Sequence, residues 1–300
     1  MLQKMNFKDY FRVKAGKALD LSKISTKPFG PVTDKDKAKR LTEKNHARIL
    51  ELQEVMYAEH KHSLLLAFQA MDAGGKDGAI KVLAGAMNPQ GVNVTSFKAP
   101  SQLERDHDYL WRVHAKTPEK GMVAVFNRSH YEDVLVVAAH NLVPENVWKK
   151  RYGQINAFED ILASAGTEIQ KFYLHISKET QRERFAERIA VPSKQWKIDP
   201  ADFSESKLWD QYRGLYEKAL SKCSTEQAPW YVIPSDEKWF RDFVISQIVV
   251  DHLESLNMKY PPLKADMEAL RAEYFPDMPA PAEAGKPKKK SVPFMTPKAK

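Results

Sequence analysis

One stretch restricts what this chain can fold into more than any other: Ser63-Leu64-Leu65-Leu66-Ala67-Phe68-Gln69-Ala70-Met71-Asp72-Ala73-Gly74-Gly75-Lys76-Asp77-Gly78-Ala79-Ile80-Lys81. An unbroken apolar run, a small-residue turn and a helical pattern opening at Lys76 predict a buried strand, a loop and a helix N-terminus. That layout suits phosphate. Glycines let main-chain N–H groups face inward, the helix end adds positive potential, and Lys76 supplies a cation. The expected phosphate-binding residues are therefore Ala73, Gly74, Gly75, Lys76, Asp77 and Gly78. The stretch departs from G-x-x-x-x-G-K-[ST] twice: Ala70 stands for the first Gly, and Asp77 for the hydroxyl residue that usually holds magnesium. Asp72 is a carboxylate inside a loop built for anions. It requires either a bridging divalent cation or a raised pKa.

The 300 residues, 43% of them hydrophobic, suffice for one large α/β domain or two small ones. The one cysteine, Cys223, excludes an internal disulfide and a cysteine metal cluster, and fits a reducing cytoplasm. No apolar block follows the basic N-terminus and no run approaches membrane-spanning length, so a soluble, cytoplasmic protein without a membrane partner is expected. The net charge of +8 is unevenly spread. Residues 1–40 carry eleven Lys/Arg against four Asp (+7) and residues 276–300 six Lys against two acids (+4), which leaves 8 − 7 − 4 = −3 for the middle. The body is mildly acidic, so no nucleic-acid partner is expected.

Further strands are predicted at 92–97, 122–126, 169–176 and 230–234. They alternate with helices at about 36–60, 78–87, 101–114, 131–139, 144–164, 178–190, 204–222 and 236–256. Such alternation implies a parallel sheet covered on both faces, with ligands at the carboxyl ends of the strands. Residues 1–40 read as a basic arm lying on a domain of residues 41–258, and 259–300 as an extension, disordered from about 276, where six prolines and Lys288-Lys289-Lys290 leave nothing to build a core.

Phosphoryl transfer needs positive charge placed around the moving group. Three segments supply it: the loop, Phe126-Asn127-Arg128-Ser129 at the end of a buried strand, and Lys178 to Arg188 after the fourth strand. Arg184 and Arg188, four apart, share a helix face and could close over a phosphate chain as part of a lid at about 178–200. Interleaved Glu and Arg there also describe a solvated, ion-paired helix. Asn127 offers a metal only a neutral carbonyl, so Asp72, Glu132 or Asp133 would add the negative ligands; Asp72, Asn127 and Glu132 form the candidate metal set. Candidate nucleotide contacts are Asp106, Trp111, Arg112, His130 and Glu132.

Phe68-Gln69-Ala70-Met71-Asp72-Ala73-Gly74-Gly75-Lys76-Asp77-Gly78, followed by Phe126-Asn127-Arg128-Ser129-His130-Tyr131-Glu132-Asp133-Val134-Leu135, strongly resembles the polyphosphate kinase type 2 family. The resemblance continues through Asn141-Leu142-Val143-Pro144, Arg151-Tyr152, His175-Ile176-Ser177-Lys178-Glu179, Trp196-Lys197 and Ala228-Pro229-Trp230-Tyr231-Val232-Ile233-Pro234, over about residues 30–256. It implies an α/β P-loop kinase of thymidylate-kinase-like fold: a three-layer sandwich with a five-stranded parallel sheet and a helical lid. It further implies reversible phosphate transfer from inorganic polyphosphate to nucleoside mono- and diphosphates (AMP and ADP, with GMP and GDP as further acceptors), Mg2+ or Mn2+ as cofactor, and a homo-oligomer, dimer or tetramer. The Asn127 form of the second motif resembles the subgroup, class III, that accepts both mono- and diphosphates. Asp72 and Lys76 match essential residues of the first motif, Asn127 and Arg128 the second, and Arg184 and Arg188 the lid; these are the candidate catalytic residues. Ala138-Ala139 stand where relatives carry an arginine. Two alternatives share the loop: an ATP-dependent nucleoside monophosphate kinase, and a non-catalytic polyphosphate- or nucleic-acid-binding protein.

Overall fold

The structure, a computed structural model, describes residues 7–278. Five strands form one parallel sheet in the order β2-β3-β1-β4-β5: β1 Ser63–Ala70, β2 Val92–Ser96, β3 Val123–Asn127, β4 Thr167–His175 and β5 Trp230–Pro234. Strand β1, which leads into the loop, is central, and progression across the sheet reverses around it, which opens a crevice at its carboxyl end. Every residue of β1 is buried. Two-sided burial explains why it reads as a continuous apolar run and not as an alternation.

Side chains alternate across the sheet and build three buried clusters, one on the first face and two on the other. Leu64, Leu66 and Phe68 join helices α1 (Lys35–Glu59), α2 (Lys76–Ala84) and, near the C-terminus, Lys238–Ser255. On the opposite face Leu65 and Ala67 pack with Phe158 and Leu162 of α3 (Glu145–Ser164), and a separate cluster joins Trp148 and Tyr152 of α3 to Leu215 and Leu220 of α6 (Trp209–Cys223); α4 (Lys178–Ala190) and α5 (Pro200–Lys207) come between α3 and α6 in the chain. Lys238–Ser255 is therefore α7. The result is the expected three-layer sandwich.

Three expected helices are broken. Ser101 caps only Gln102–Arg105, with a reciprocal Glu104 contact, and Trp111–His114 is a separate turn. Between them Asp108 Oδ1 accepts from Leu110 N, the local side-chain bond with which Asp competes against helix. The segment expected at 131–139 is a 3-10 turn, His130–Asp133, started by Ser129 Oγ accepting from Tyr131 N, followed by Val136–Ala139. The helix expected at 204–222 divides at Leu208, whose ψ of 15° departs from helical geometry.

Residues 7–31 are pinned to the edge of β5. Arg12 bridges Tyr231 antiparallel, Val232 N donates to Phe11 O at 2.9 Å and Val13 N to Trp230 O at 2.8 Å. Phe11 enters the cluster of Leu64 and Phe68, and Val13 and Leu21 enter that of Trp148 and Leu220. This compact unit runs to Tyr260; a second begins at Pro261 and contains the helix Met267–Tyr274, capped by Asp266. The disorder expected from about 276 falls mainly on 279–300, outside the described residues. Among the described residues no helix is long and apolar enough to cross a membrane.

Candidate active site

The loop after β1 takes its shape from two glycines. A Cβ at Gly74 would lie 2.4 Å from Ala70 Cβ and 2.7 Å from Met71 O, so no side chain fits there. Gly75 sits at φ 91°, a left-handed conformation that suits glycine, and it begins α2 without a side-chain cap. The N–H groups of Gly75, Lys76, Asp77 and Gly78 consequently have no acceptor among the described residues. Open donors at a helix start favour an anion.

Lys76 Nζ donates to Ala70 O at 3.1 Å, and its burial pushes the ammonium pKa down. Arg128, at the end of β3, is held at φ 62° and places Nη2 3.5 Å from Asp72 Oδ1. A non-glycine residue in that region carries backbone strain, which concentrates at working sites. Asn127 Nδ2 donates to Asp77 Oδ1 at 2.7 Å and so ties the end of β3 to the first turn of α2. From α4, Gln181 Nε2 donates to Asp72 O at 2.9 Å. Arg184 donates to Ala73 O at 3.0 Å and to Ser235 O at 2.6 Å. Burial lowers the Arg184 pKa. Arg188, one turn on, pairs with Asp202 of α5 at 3.0 Å.

Two cavities meet at this loop, and they differ in charge. A groove of about 670 Å³ holds the loop from Asp72 to Gly78, Asn127 and Arg128. Nine Lys or Arg line it, from Lys76 and Lys98 to Lys238 and Arg241, against four carboxylates. A pocket of about 270 Å³ is lined by five carboxylates, including Glu132 and Glu205, against Arg128 and His140, with Trp209, Tyr212 and Tyr216 along one wall. Asp72, Arg128 and Asp202 border both. The groove suits a phosphate chain; the pocket suits a group that donates hydrogen bonds and stacks, such as a nucleoside.

All six candidate catalytic residues and the whole phosphate-binding set thus line one groove. The metal candidates do not form one cluster. Asp72 faces both cavities, Asn127 only the groove and Glu132 only the pocket, while Asp133 is taken by Arg151 at 2.9 Å. No set of three or more metal-binding side chains occurs among the described residues. Asp72 and Asp77 beside open N–H donors still fit a hard cation of the Mg2+ type, which binds through one or two carboxylates and takes its remaining ligands from water and substrate phosphates.

Of the nucleotide candidates only Glu132 lines the pocket. His130 is a correction: its ring is buried and meets Glu159 Oε1 at 3.1 Å, a carboxylate also bound by Tyr131 and Lys171, so the ring belongs to the interior. Asp106 accepts from Gln102, and Trp111 stacks on His107 at 4.2 Å, both outside the two cavities. Arg112 acts through the backbone, donating to the carbonyl of Lys98, a groove residue, at 2.8 Å.

Sequence reasoning passed over Arg241, Lys98 and Lys238 in the groove, and Trp209, Tyr212 and Tyr216 in the pocket. The aromatic spacing of three and four was a helix-face signal. A lone arginine inside the apolar run of α7 was another.

A parallel sheet in this strand order, with a glycine-shaped anion loop on its central strand and an arginine-bearing helix tied to that loop, defines a P-loop kinase. The chain belongs to the polyphosphate kinase 2 family: the family model described as "Polyphosphate kinase 2 (PPK2)" matches residues 32–261. A relative from Meiothermus ruber, named AMP/ADP-polyphosphate phosphotransferase, is 53% identical over 214 residues, covering 71% of this chain and 80% of its own. An ADP-polyphosphate phosphotransferase from Rhodopseudomonas palustris is 44% identical over 84% of this chain and 91% of its own. The crystal structure of polyphosphate kinase 2 from Arthrobacter aurescens TC1 superimposes with a TM-score of 0.85 at 40% identity, covering 90% of this chain and 96% of that one.

Proposed function

We propose that this protein transfers the terminal phosphoryl group of inorganic polyphosphate to AMP and ADP, reversibly, with Mg2+ as the divalent cation. The observation that carries the reading is the pair of cavities of opposite charge that share Asp72 and Arg128. A phosphate chain in the cationic groove and a nucleoside in the carboxylate-lined pocket would bring their phosphates together at those two residues. The printed activities of the two relatives support the same substrates.

In this reading the open N–H groups of the loop and Lys76 hold the donor's terminal phosphates. A phosphate oxygen of the acceptor attacks the terminal phosphorus in line, and the bond to the next bridging oxygen of the chain breaks. The shortened chain leaves with the electrons of that bond. Asp72 orients the attacking oxygen and offers a carboxylate to the cation, while Arg128 and the lid arginines stabilise charge on the oxygens of the moving group. When bound, the cation neutralises negative charge shared between the two substrates. Glu132, with Trp209 and Tyr212, would receive the nucleoside.

A cytoplasmic location and a homo-oligomer belong to the same reading, supported by the lone cysteine and the family resemblance. The test is direct: AMP and ADP, each with polyphosphate and Mg2+, followed for ADP and ATP. Product from both supports the reading, and product from neither overturns it.

A further inference from the structure

The loop is held by its carbonyl oxygens as well as shaped by its glycines. Arg184 Nη1 donates to Ala73 O at 3.0 Å and Arg241 Nη1 to Gly75 O at 3.1 Å. A peptide unit is planar, with the C=O and the following N–H pointing in opposite directions. An arginine anchored on a carbonyl therefore helps to fix where the next N–H points, and at Gly75 it does so beside Ala79 N, which donates to the same oxygen at 3.1 Å. The two contacts differ in consequence. The N–H opposite Ala73 O belongs to Gly74 and donates to Met71 O at 2.9 Å, so it closes the turn. The N–H opposite Gly75 O belongs to Lys76 and is among the open donors of the groove.

Arg241 is built for this contact. It rises from the first turn of α7, its side chain is 3% exposed, and its Nε and Nη2 both donate to Asp242 Oδ1, at 2.8 and 2.7 Å. One edge of the guanidinium is thereby fixed and Nη1 is aimed at the loop. Gly75 leaves the necessary room, since a Cβ there would lie 2.6 Å from Arg241 Nη1 and 3.3 Å from Arg184 Nη1. A buried cation is costly unless paired and hydrogen-bonded, and Asp242 with Gly75 O meets that requirement. Arg184 beside it has only carbonyl partners among the described residues, so the two guanidinium groups carry more positive charge than Asp242 offsets.

We propose that Arg241, which lies outside every sequence motif, is a positioning residue for phosphoryl transfer: it orients the Gly75–Lys76 peptide so that the Lys76 N–H faces the terminal phosphates of the donor. The inference rests on the polyphosphate kinase reading. Lysine at this position keeps the charge but lacks the planar fork that serves a carboxylate and a carbonyl together.

Arg241→Ala and Arg241→Lys are assayed with polyphosphate and ADP beside the wild type, with thermal unfolding recorded for each. The expected result for Arg241→Ala is a fall in kcat of roughly 100-fold, the scale of losing one preorganised donor. The KM for polyphosphate rises, the KM for ADP stays unchanged, and guanidinium ion at millimolar concentration restores part of the rate. Guanidinium gives no such recovery in Lys76→Ala. Arg241→Lys falls in kcat with an unchanged KM for ADP, and it carries the test if the alanine variant does not fold. Wild-type kcat and donor KM in Arg241→Lys, or a loss in Arg241→Ala that follows the unfolding midpoint and ignores guanidinium, overturns the inference. A wild-type protein that makes no ATP from polyphosphate overturns the parent reading as well, whereas an active wild type with indifferent variants overturns this inference alone.

Discussion

Asp72 and Lys76 lie on one loop, one at its mouth beside Arg128 and the other across its base on Ala70 O. Neither contributes to a core, so their removal should affect rate and leave the fold intact. Lys76→Ala and Asp72→Asn are each expected to lose about 100-fold or more in kcat, with thermal unfolding curves that overlay the wild type. Gly74→Ala is different in kind. Its Cβ would meet Ala70 Cβ and the backbone oxygen of Met71, so the loop must move, and donor KM and unfolding midpoint should change together. Cys223 gives a pH-dependent prediction. Burial pushes its thiol up to about 12, so at pH 8 it is protonated in the folded state. It should resist iodoacetamide until denaturant is added, as intact mass would record. The residues legible from sequence are those whose chemistry is local: Asp72, Gly74, Gly75, Lys76 and Gly78 fall within seven positions. Arg241 reaches Gly75 across 166 positions. His130 misled because its motif neighbours face the site while its own ring turns to Glu159.

The N-terminal arm shows how charge pattern and packing diverge at the scale of an element. Its lysines Lys14 and Lys17 stay exposed, while Phe11, Val13 and Leu21 seal the β5 edge and enter buried clusters on both faces of the sheet. Phe11→Ala should cost about 3–5 kcal/mol of stability, the usual range for a buried aromatic, measured by urea unfolding. Lys14→Gln with Lys17→Gln should leave stability nearly unchanged, since both side chains are exposed. At the amino end of the sheet, Glu168 of β4 meets His252 of α7 at 3.1 Å and His62 at 3.6 Å. The close approach of His252 lowers the Glu168 pKa below its ordinary 4.5. The folded state then binds that proton less readily than the unfolded one, so the contribution is complete above about pH 4.5 and is lost as pH falls through the lowered value. Glu168→Gln should therefore show a shallower loss of unfolding midpoint with acid than the wild type. Strands β1, β3 and β5 were legible because two-sided burial makes them nearly continuous apolar runs, whereas β2 at the sheet edge is largely exposed and β4 carries buried Gln170 and Lys171. The helix breaks at Leu208 and around Asp108 were not, because side-chain bonds and tertiary packing decide them.

Across the whole molecule the notable quantity is the separation of charge. The body between residues 41 and 275 sums to −3, yet it carries a groove with nine cations against four carboxylates beside a pocket with the opposite balance. Net charge could not disclose that separation, because it arises only when Lys98, Arg128, Arg184 and Lys238 are brought from four separate segments to one edge of the sheet. Attraction of a polyanion to such a groove is screened by salt, so the KM for polyphosphate should rise with ionic strength much more than the KM for ADP. The central claim is that the groove takes polyphosphate as its donor. The most direct measurement compares polyphosphate with ATP as donor to AMP, at equal concentrations of transferable phosphate with Mg2+ present, by separating the nucleotides over time. Rapid formation of ADP and then ATP from polyphosphate, with little phosphorylation of AMP by ATP, is the predicted result; efficient phosphorylation by ATP with none from polyphosphate would contradict it.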